Sequence, residues 1–101
     1  VDAQQSEILN IGETFELAKN LLKDDIETKH LEIYADFSKA PEIRFPKEFL
    51  ISIFTNLISN SIRFSSPNRR LKIEVHSSKL LPYIEIKFTD NGIGIDLERY
   101  G

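Results

Sequence analysis

The sequence predicts an α/β fold, a two-layer sandwich with helices on one face of a mixed sheet. Three observations carry that prediction. Two stretches repeat apolar residues every three or four positions, other stretches alternate apolar and polar residues, and the two kinds succeed one another in the order β-α-β-α-β-β.

Residues 7–10 read as a short first strand. From 11 to 28, Phe15, Ala18, Leu21, Leu22 and Ile26 fall on one helical face. "HLEIYADFS" then alternates, with Leu31, Ile33, Ala35 and Phe37 on one side and Glu32, Tyr34 and Asp36 on the other, the pattern of a half-buried strand. Lys39-Ala40-Pro41 breaks it. Pro46 stands where a first helical turn tolerates proline, and a long helix is predicted from there to about Ser65. Its apolar residues Phe49, Leu50, Ile53, Phe54, Leu57, Ile58 and Ile62 cover a wide face, which makes it the central helix. Ser66-Pro67-Asn68 stops it. Two alternating runs follow, with inward rows Leu71, Ile73, Val75 and Ile84, Ile86, Phe88. The polar Ser77-Ser78-Lys79 between them predicts a hairpin with a longish loop, and places His76 at a strand end.

Composition bounds the function. A chain of 101 residues is one small domain at most, with a single core. A net charge of −3 with no dominant basic face argues against nucleic acid, and the Arg69-Arg70 pair suits a solvated turn. Without cysteine there is neither disulfide nor thiolate metal site. No apolar run approaches the ~20 residues of a membrane span, and no signal peptide is visible. The chain opens at Val1 and ends soon after a motif, which reads as a piece of a longer protein.

Two stretches carry chemistry. In "FTNLISNSIRFS", Asn56, Asn60, Arg63 and Phe64 stand at i, i+4, i+7 and i+8, one face of the central helix over two turns. Asparagine competes with the backbone for hydrogen bonds and costs helix propensity, so two of them need a reason. An amide oxygen suits Mg²⁺, which keeps several waters and shares its sphere with substrate phosphates. A guanidinium one turn on matches phosphate oxygens, and an aromatic beside it can lie against a purine. Taken alone, the stripe reads more readily as a solvated helix edge with two incidental asparagines. "TDNGIGI" is the second stretch, and Asn-Gly alone would be a plain turn. Asp90, however, continues the row of Ile84, Ile86 and Phe88, so alternation points its carboxylate at the core side, where it needs hydrogen-bond donors. The exocyclic amine of adenine is such a donor. Gly92 and Gly94 would let the backbone pass close to a flat ligand, with Ile93 and Ile95 as apolar walls.

"NLISNSIRFS" followed some thirty residues later by "DNGIGI" resembles the asparagine box and first glycine box of the ATP-binding catalytic domain of bacterial sensor histidine kinases. That domain belongs to the Bergerat-type, or GHKL, ATPase superfamily with gyrase, the heat-shock-90 chaperones and the mismatch-repair ATPases. The resemblance runs from about Glu7 and implies the N-terminal part of a Bergerat-type fold. Residues 1–6 would be the end of an upstream linker, and 7–101 the domain up to its first glycine box. The phenylalanine box, ATP lid and second glycine box would follow Gly101. By that resemblance Asn60 holds Mg²⁺ and the ATP phosphates. Asn56 takes the place where gyrase-like members carry a glutamate base, which favours the kinase branch. Arg63 stands where lysine is usual, and Phe64 matches the aromatic near the base. Asp90 matches the reader of adenine N6, Gly92 and Gly94 match the box glycines, and Ser61 replaces the usual alanine.

The function implied is ATP-dependent autokinase chemistry. The domain would supply Mg·ATP to a histidine on a separate dimerisation segment, in a cytoplasmic, homodimeric parent, free or membrane-anchored, that signals to a response regulator. The parent's domain would touch neither nucleic acid nor membrane. This stretch alone would be inactive, since neither His30 nor His76 has the helical acidic context of a phosphoacceptor. The alternative is a regulatory nucleotide-binding module without transfer activity, a degenerate kinase or anti-sigma-like relative. A plain interaction domain fits the polar helical stripe poorly.

Overall fold

A computed structural model describes residues 6–65 and 70–91. Its elements are β1 (Ser6–Asn10), α1 (Ile11–Leu21), α2 (Lys23–Thr28), β2 (Glu32–Asp36), β3 (Glu42–Pro46), α3 (Lys47–Arg63), β4 (Lys72–Leu80) and β5 (Tyr83–Asp90). Among the described residues β1 and β3 form an antiparallel pair, with Leu9 opposite Ile43. The other sheet has the order β2-β4-β5. Its β2–β4 pair is parallel with Ile33 opposite Ile73, and its β4–β5 pair is antiparallel with Val75 opposite Phe88. The mixed sheet and the α/β layering agree with the sequence; several element boundaries do not.

Strand β3 is an element that the sequence reading missed. It is five residues long between Pro41 and Pro46, too short to show a clear period. Pro46 is its last residue and the N-cap of α3, so the helix begins at Lys47 rather than at the proline. A proline closing a strand removes no ladder bond that the strand needs.

The helix predicted over 11–28 is two helices. Leu22 lies between them at φ −114°, ψ 22°, and its N–H bonds back to Lys19 O. Breaking there brings Leu22 against the core while Leu21 stays exposed. Asp24 and Asp25 then occupy the first turn of α2, where negative charge is favoured. At its other end α1 is capped by Asn10, whose side chain accepts the Glu13 N–H at 2.9 Å.

The predicted loop at Ser77-Ser78-Lys79 is strand. Ser77 is buried and its Oγ donates to Ala40 O at 2.6 Å, so a residue expected in a polar turn is satisfied inside. The hairpin closes tightly at Leu81 and Pro82. His76 is therefore mid-strand, opposite Lys87, with its ring 5.9 Å from that of Tyr34. Ala35 corrects another expectation: it is exposed at the sheet edge, while Ile33 and Phe37 of the same row pack on the core. Arg70 does more than sit in a solvated turn. It donates to His30 O at 2.8 Å and pairs with Glu32 at 3.4 Å, tying the start of β4 to the entry of β2.

One core joins the layers. Leu50, Phe54, Leu57 and Ile58 of α3 share it with Ile11, Phe15 and Ala18 of α1 and with Ile73, Val75, Ile86 and Phe88 of the sheet. Phe54, fully buried, meets the Phe15 ring edge-on at 4.9 Å. Each such side chain contributes about 1.5–3 kcal/mol by leaving water. The central place predicted for this helix is what the packing shows. No helix among the described residues is long and apolar enough to cross a membrane.

Candidate functional site

With one side of α3 committed to the core, its opposite side is fixed in space. Asn56, Arg63 and Phe64 are exposed there and Asn60 is half-buried. The stripe expected from spacing is thus a surface on a rigid, core-anchored helix. Its lower end is knit together: Arg63 Nη2 donates to Asn60 Oδ1 at 2.6 Å, and the guanidinium carbon lies 5.2 Å from the Phe64 ring centre. Phe64 caps the helix, its N–H bonding to Asn60 O at 3.0 Å. An amide oxygen, a guanidinium and an aromatic face are therefore gathered within one turn. Asn56 stands a turn nearer the helix start.

Asp90 arrives from the sheet. It ends β5 on the same face as Ile86 and Phe88, as alternation predicted, and is half-buried. It accepts a hydrogen bond from Ser61 Oγ at 2.5 Å. Ser61 is the α3 residue next to Asn60, so the helix stripe and the strand-end carboxylate adjoin. Gly92, Ile93, Gly94 and Ile95, the remaining residues expected at the site, lie outside the described residues, as does the stop at 66–68.

Two residues of this arrangement escaped sequence reasoning. Ser61, which stands where the resemblance has alanine, is buried and is the link to Asp90. Asn91, by sequence only the first half of an Asn-Gly turn, is bonded at three places. Its N–H bonds to Lys72 O at 3.2 Å, its Oδ1 accepts the Lys72 N–H at 2.7 Å, and its Nδ2 donates to Arg70 O at 3.1 Å. Side chain and backbone together extend the β4–β5 ladder past Asp90, which pins the carboxylate-bearing strand end. The available signal was the serine itself: a hydroxyl on the buried side of an amphipathic helix requires a partner.

A depression of about 330 Å³ lies elsewhere, between α1, α2 and β2. Lys19, Lys23, Glu16 and Glu27 line it with both signs of charge, a poor cradle for phosphate. It touches none of the stripe residues.

Residues 46–100 match the model of the family described as histidine kinase-, DNA gyrase B-, and HSP90-like ATPase. The match takes in more than half of the chain, and the chain belongs to that family. Its curated relatives include the non-motile and phage-resistance protein of Caulobacter vibrioides, 29% identical over 94 residues and 91% of this chain. The sensor protein kinase WalK of Staphylococcus aureus is 26% identical over 82 residues and 80% of this chain. The chain spans only 11% and 14% of the lengths of these two proteins. Among solved structures, the Acinetobacter baumannii histidine kinase AdeS superposes with a TM-score of 0.77 at 20% identity, over 90% of this chain and 44% of that one. Histidine kinase ThkA, solved in complex with the response regulator protein TrrA, gives 0.72 at 14% identity, over 89% of this chain and 27% of that one. At such identities these two likenesses speak for the fold.

Proposed function

We propose that this chain is the ATP-binding part of a two-component sensor histidine kinase, in which the γ-phosphate of ATP passes to a histidine on a separate dimerisation segment. The observation that carries the reading is the meeting of the exposed Asn56–Asn60–Arg63 face of α3 with Asp90 of β5, joined through Ser61. Family membership supports it, and so does the similarity to WalK, a sensor protein kinase.

In this reading Asp90 accepts the 6-amino group of adenine, Phe64 lies against the base and Arg63 meets phosphate. Gly92, Ile93, Gly94 and Ile95 pass along the base. Asn60 would hold Mg²⁺ through Oδ1. That oxygen is a competent acceptor at the surface, since it already takes an Arg63 N–H. Among the described residues no three His, Cys, Asp or Glu side chains form a metal cluster. One amide oxygen, with waters and phosphates filling the rest, is a coordination that Mg²⁺ accepts. Bound there, the ion would offset phosphate charge, and the protein's own task is positioning, since phosphoryl transfer asks little covalent chemistry of it. Asn56 stands where ATP-hydrolysing relatives carry a glutamate base, and an amide cannot activate water. The parent is a cytoplasmic-facing homodimer, free or membrane-anchored, with a response regulator as its partner; the ThkA–TrrA complex supports that pairing.

Titration with labelled ATP, with and without Mg²⁺, tests the assignment. Asp90→Asn should weaken binding in both conditions by a few kcal/mol, because a half-buried acceptor becomes a mismatched amide. Asn60→Ala should remove only the Mg²⁺-dependent part. If neither substitution alters binding, the site lies elsewhere.

A further inference from the structure

We infer that Arg63 acts as a stand-in cation on Asn60, so that the candidate site takes up Mg²⁺ together with the phosphates of a nucleotide and not by itself. The inference rests on the reading of Asn60 given above. Arg63 Nη2 donates to Asn60 Oδ1 at 2.6 Å, and that oxygen is the atom that would serve the metal. The bond is short, as charge-assisted bonds are, but it joins a full charge to a neutral amide. The guanidinium also rests on Phe64, its carbon 5.2 Å from the ring centre, an interaction of modest strength at an exposed site. Asn60 is half-buried and Arg63 exposed, so the amide stays where α3 places it and the guanidinium is the member with room to move.

One oxygen serves two cations poorly. The amide has a second lone pair, but a divalent ion and a guanidinium on one neutral atom repel each other at contact range. Free Mg²⁺ would have to expel Arg63 from Asn60 with nothing to receive the displaced charge. A triphosphate changes that balance. Its oxygens match the guanidinium in charge and in fork geometry, and a bidentate phosphate contact outweighs a single bond to a neutral amide. Arg63 would swing from Asn60 Oδ1 to phosphate, and the oxygen it leaves would take the ion that the same phosphates carry. The exchange needs only rotation of the Arg63 side chain. The helix itself stays fixed by Leu57, Ile58 and Ser61, which are buried on its other side. Such a site selects the metal–nucleotide complex over the free ion.

The test measures ATP affinity with EDTA and with Mg²⁺, and takes the ratio of the two as the gain from the metal. It compares the protein, Arg63→Ala, Asn60→Ala and the double substitution, with melting temperatures on the same samples to verify folding. Removing the guanidinium also removes a phosphate contact, which by itself raises the gain whatever stands at position 60. The Asn60→Ala background subtracts that part. The expected result is that Arg63→Ala raises the gain roughly two- to tenfold more with Asn60 present than with alanine there, the range for releasing one hydrogen bond. Equal rises mean that Arg63 acts on phosphate alone, and they overturn the inference. A smaller rise with Asn60 present means that Arg63 orients the amide for the ion, and that overturns it too. If Arg63→Ala does not fold, Arg63→Met keeps a long stem without the charge, and the same comparison decides. A gain from Mg²⁺ that Asn60→Ala leaves unchanged refutes the Asn60 reading, and this inference falls with it. Failure of the unsubstituted chain to bind ATP refutes the site as a whole.

Discussion

His30 sits just past the end of α2 with φ at 55°, the left-handed region. Its N–H bonds to Glu27 O at 3.2 Å and the Leu31 N–H reaches back to Ile26 O at 3.1 Å, the paired bonds of a Schellman cap. Glycine is the usual occupant of that position, so His30→Gly isolates the conformational cost of a side chain there. Left-handed backbone costs a non-glycine residue roughly 1–2 kcal/mol. Glycine gives back about 0.5–1 kcal/mol through its extra freedom in the unfolded chain. One cap bond and the 2.8 Å bond from Arg70 Nε to His30 O use the backbone of residue 30, the other cap bond joins the backbones of Leu31 and Ile26, and all three survive the change. The balance is a stabilisation of about 0.5–1 kcal/mol, or several degrees of melting temperature for a domain of this size. Urea denaturation should show a higher midpoint at an unchanged slope. His30→Ala, which keeps the cost, should show no gain. A destabilised His30→Gly would mean that the imidazole makes a contact worth more than the strain, and the cap argument would fail.

Phe54→Ala should cost about 3–5 kcal/mol, because a fully buried ring that stacks edge-on with Phe15 leaves a cavity at the centre of the core; calorimetry that finds under 1 kcal/mol would contradict the packing described. Asp36 supplies a pH signature. The Ser38 hydroxyl, at 2.7 Å, and then the Ser38 N–H, at 3.0 Å, hold its carboxyl below the usual carboxylate range, with His76 and Lys39 adding less and partial burial opposing. A depressed folded pKa stabilises fully above the unfolded value, about 3.9, and that stabilisation is lost as pH falls through the folded value. Ser38→Ala should therefore lower stability by a constant amount at neutral pH, with the difference shrinking below about pH 4. A difference that grew on acidification would reverse the assignment.

Periodicity carried most of the fold because the core is built on strong periods. Phe49 to Ile62 announces α3, and Leu71 to Val75 and Ile84 to Phe88 announce the inner rows of the sheet. The sequence failed where a tertiary contact overrules a local pattern. Ser77 reads as loop until Ala40 O is placed beside it, and Leu22 reads as mid-helix until the core takes it. Strand β3 has two prolines at its borders and too few residues to declare itself. At the candidate site the spacing gave the α3 stripe and the inward direction of Asp90. It could not give the Ser61 and Asn91 bonds, which join residues 29 and 19 positions apart.

The strand pairings interleave along the chain: β1 closes on β3, while β2, which lies between them, closes on β4. A cut anywhere in 37–41 would separate the partners of both pairings at once. The N-terminal piece would keep no strand pair and the C-terminal piece only the β4–β5 hairpin, so the two sheets belong to a single cooperative unit rather than to two that fold in turn. The hairpin of β4 and β5 and the helix α3 are the contiguous elements, able to form on microsecond scales. The long closures must wait for the chain search that slows folds rich in distant contacts. The elements bearing Asn60, Ser61 and Asp90 would thus be shaped early, and the order of assembly would run outward from them to the strand pairs at 6–10 and 42–46.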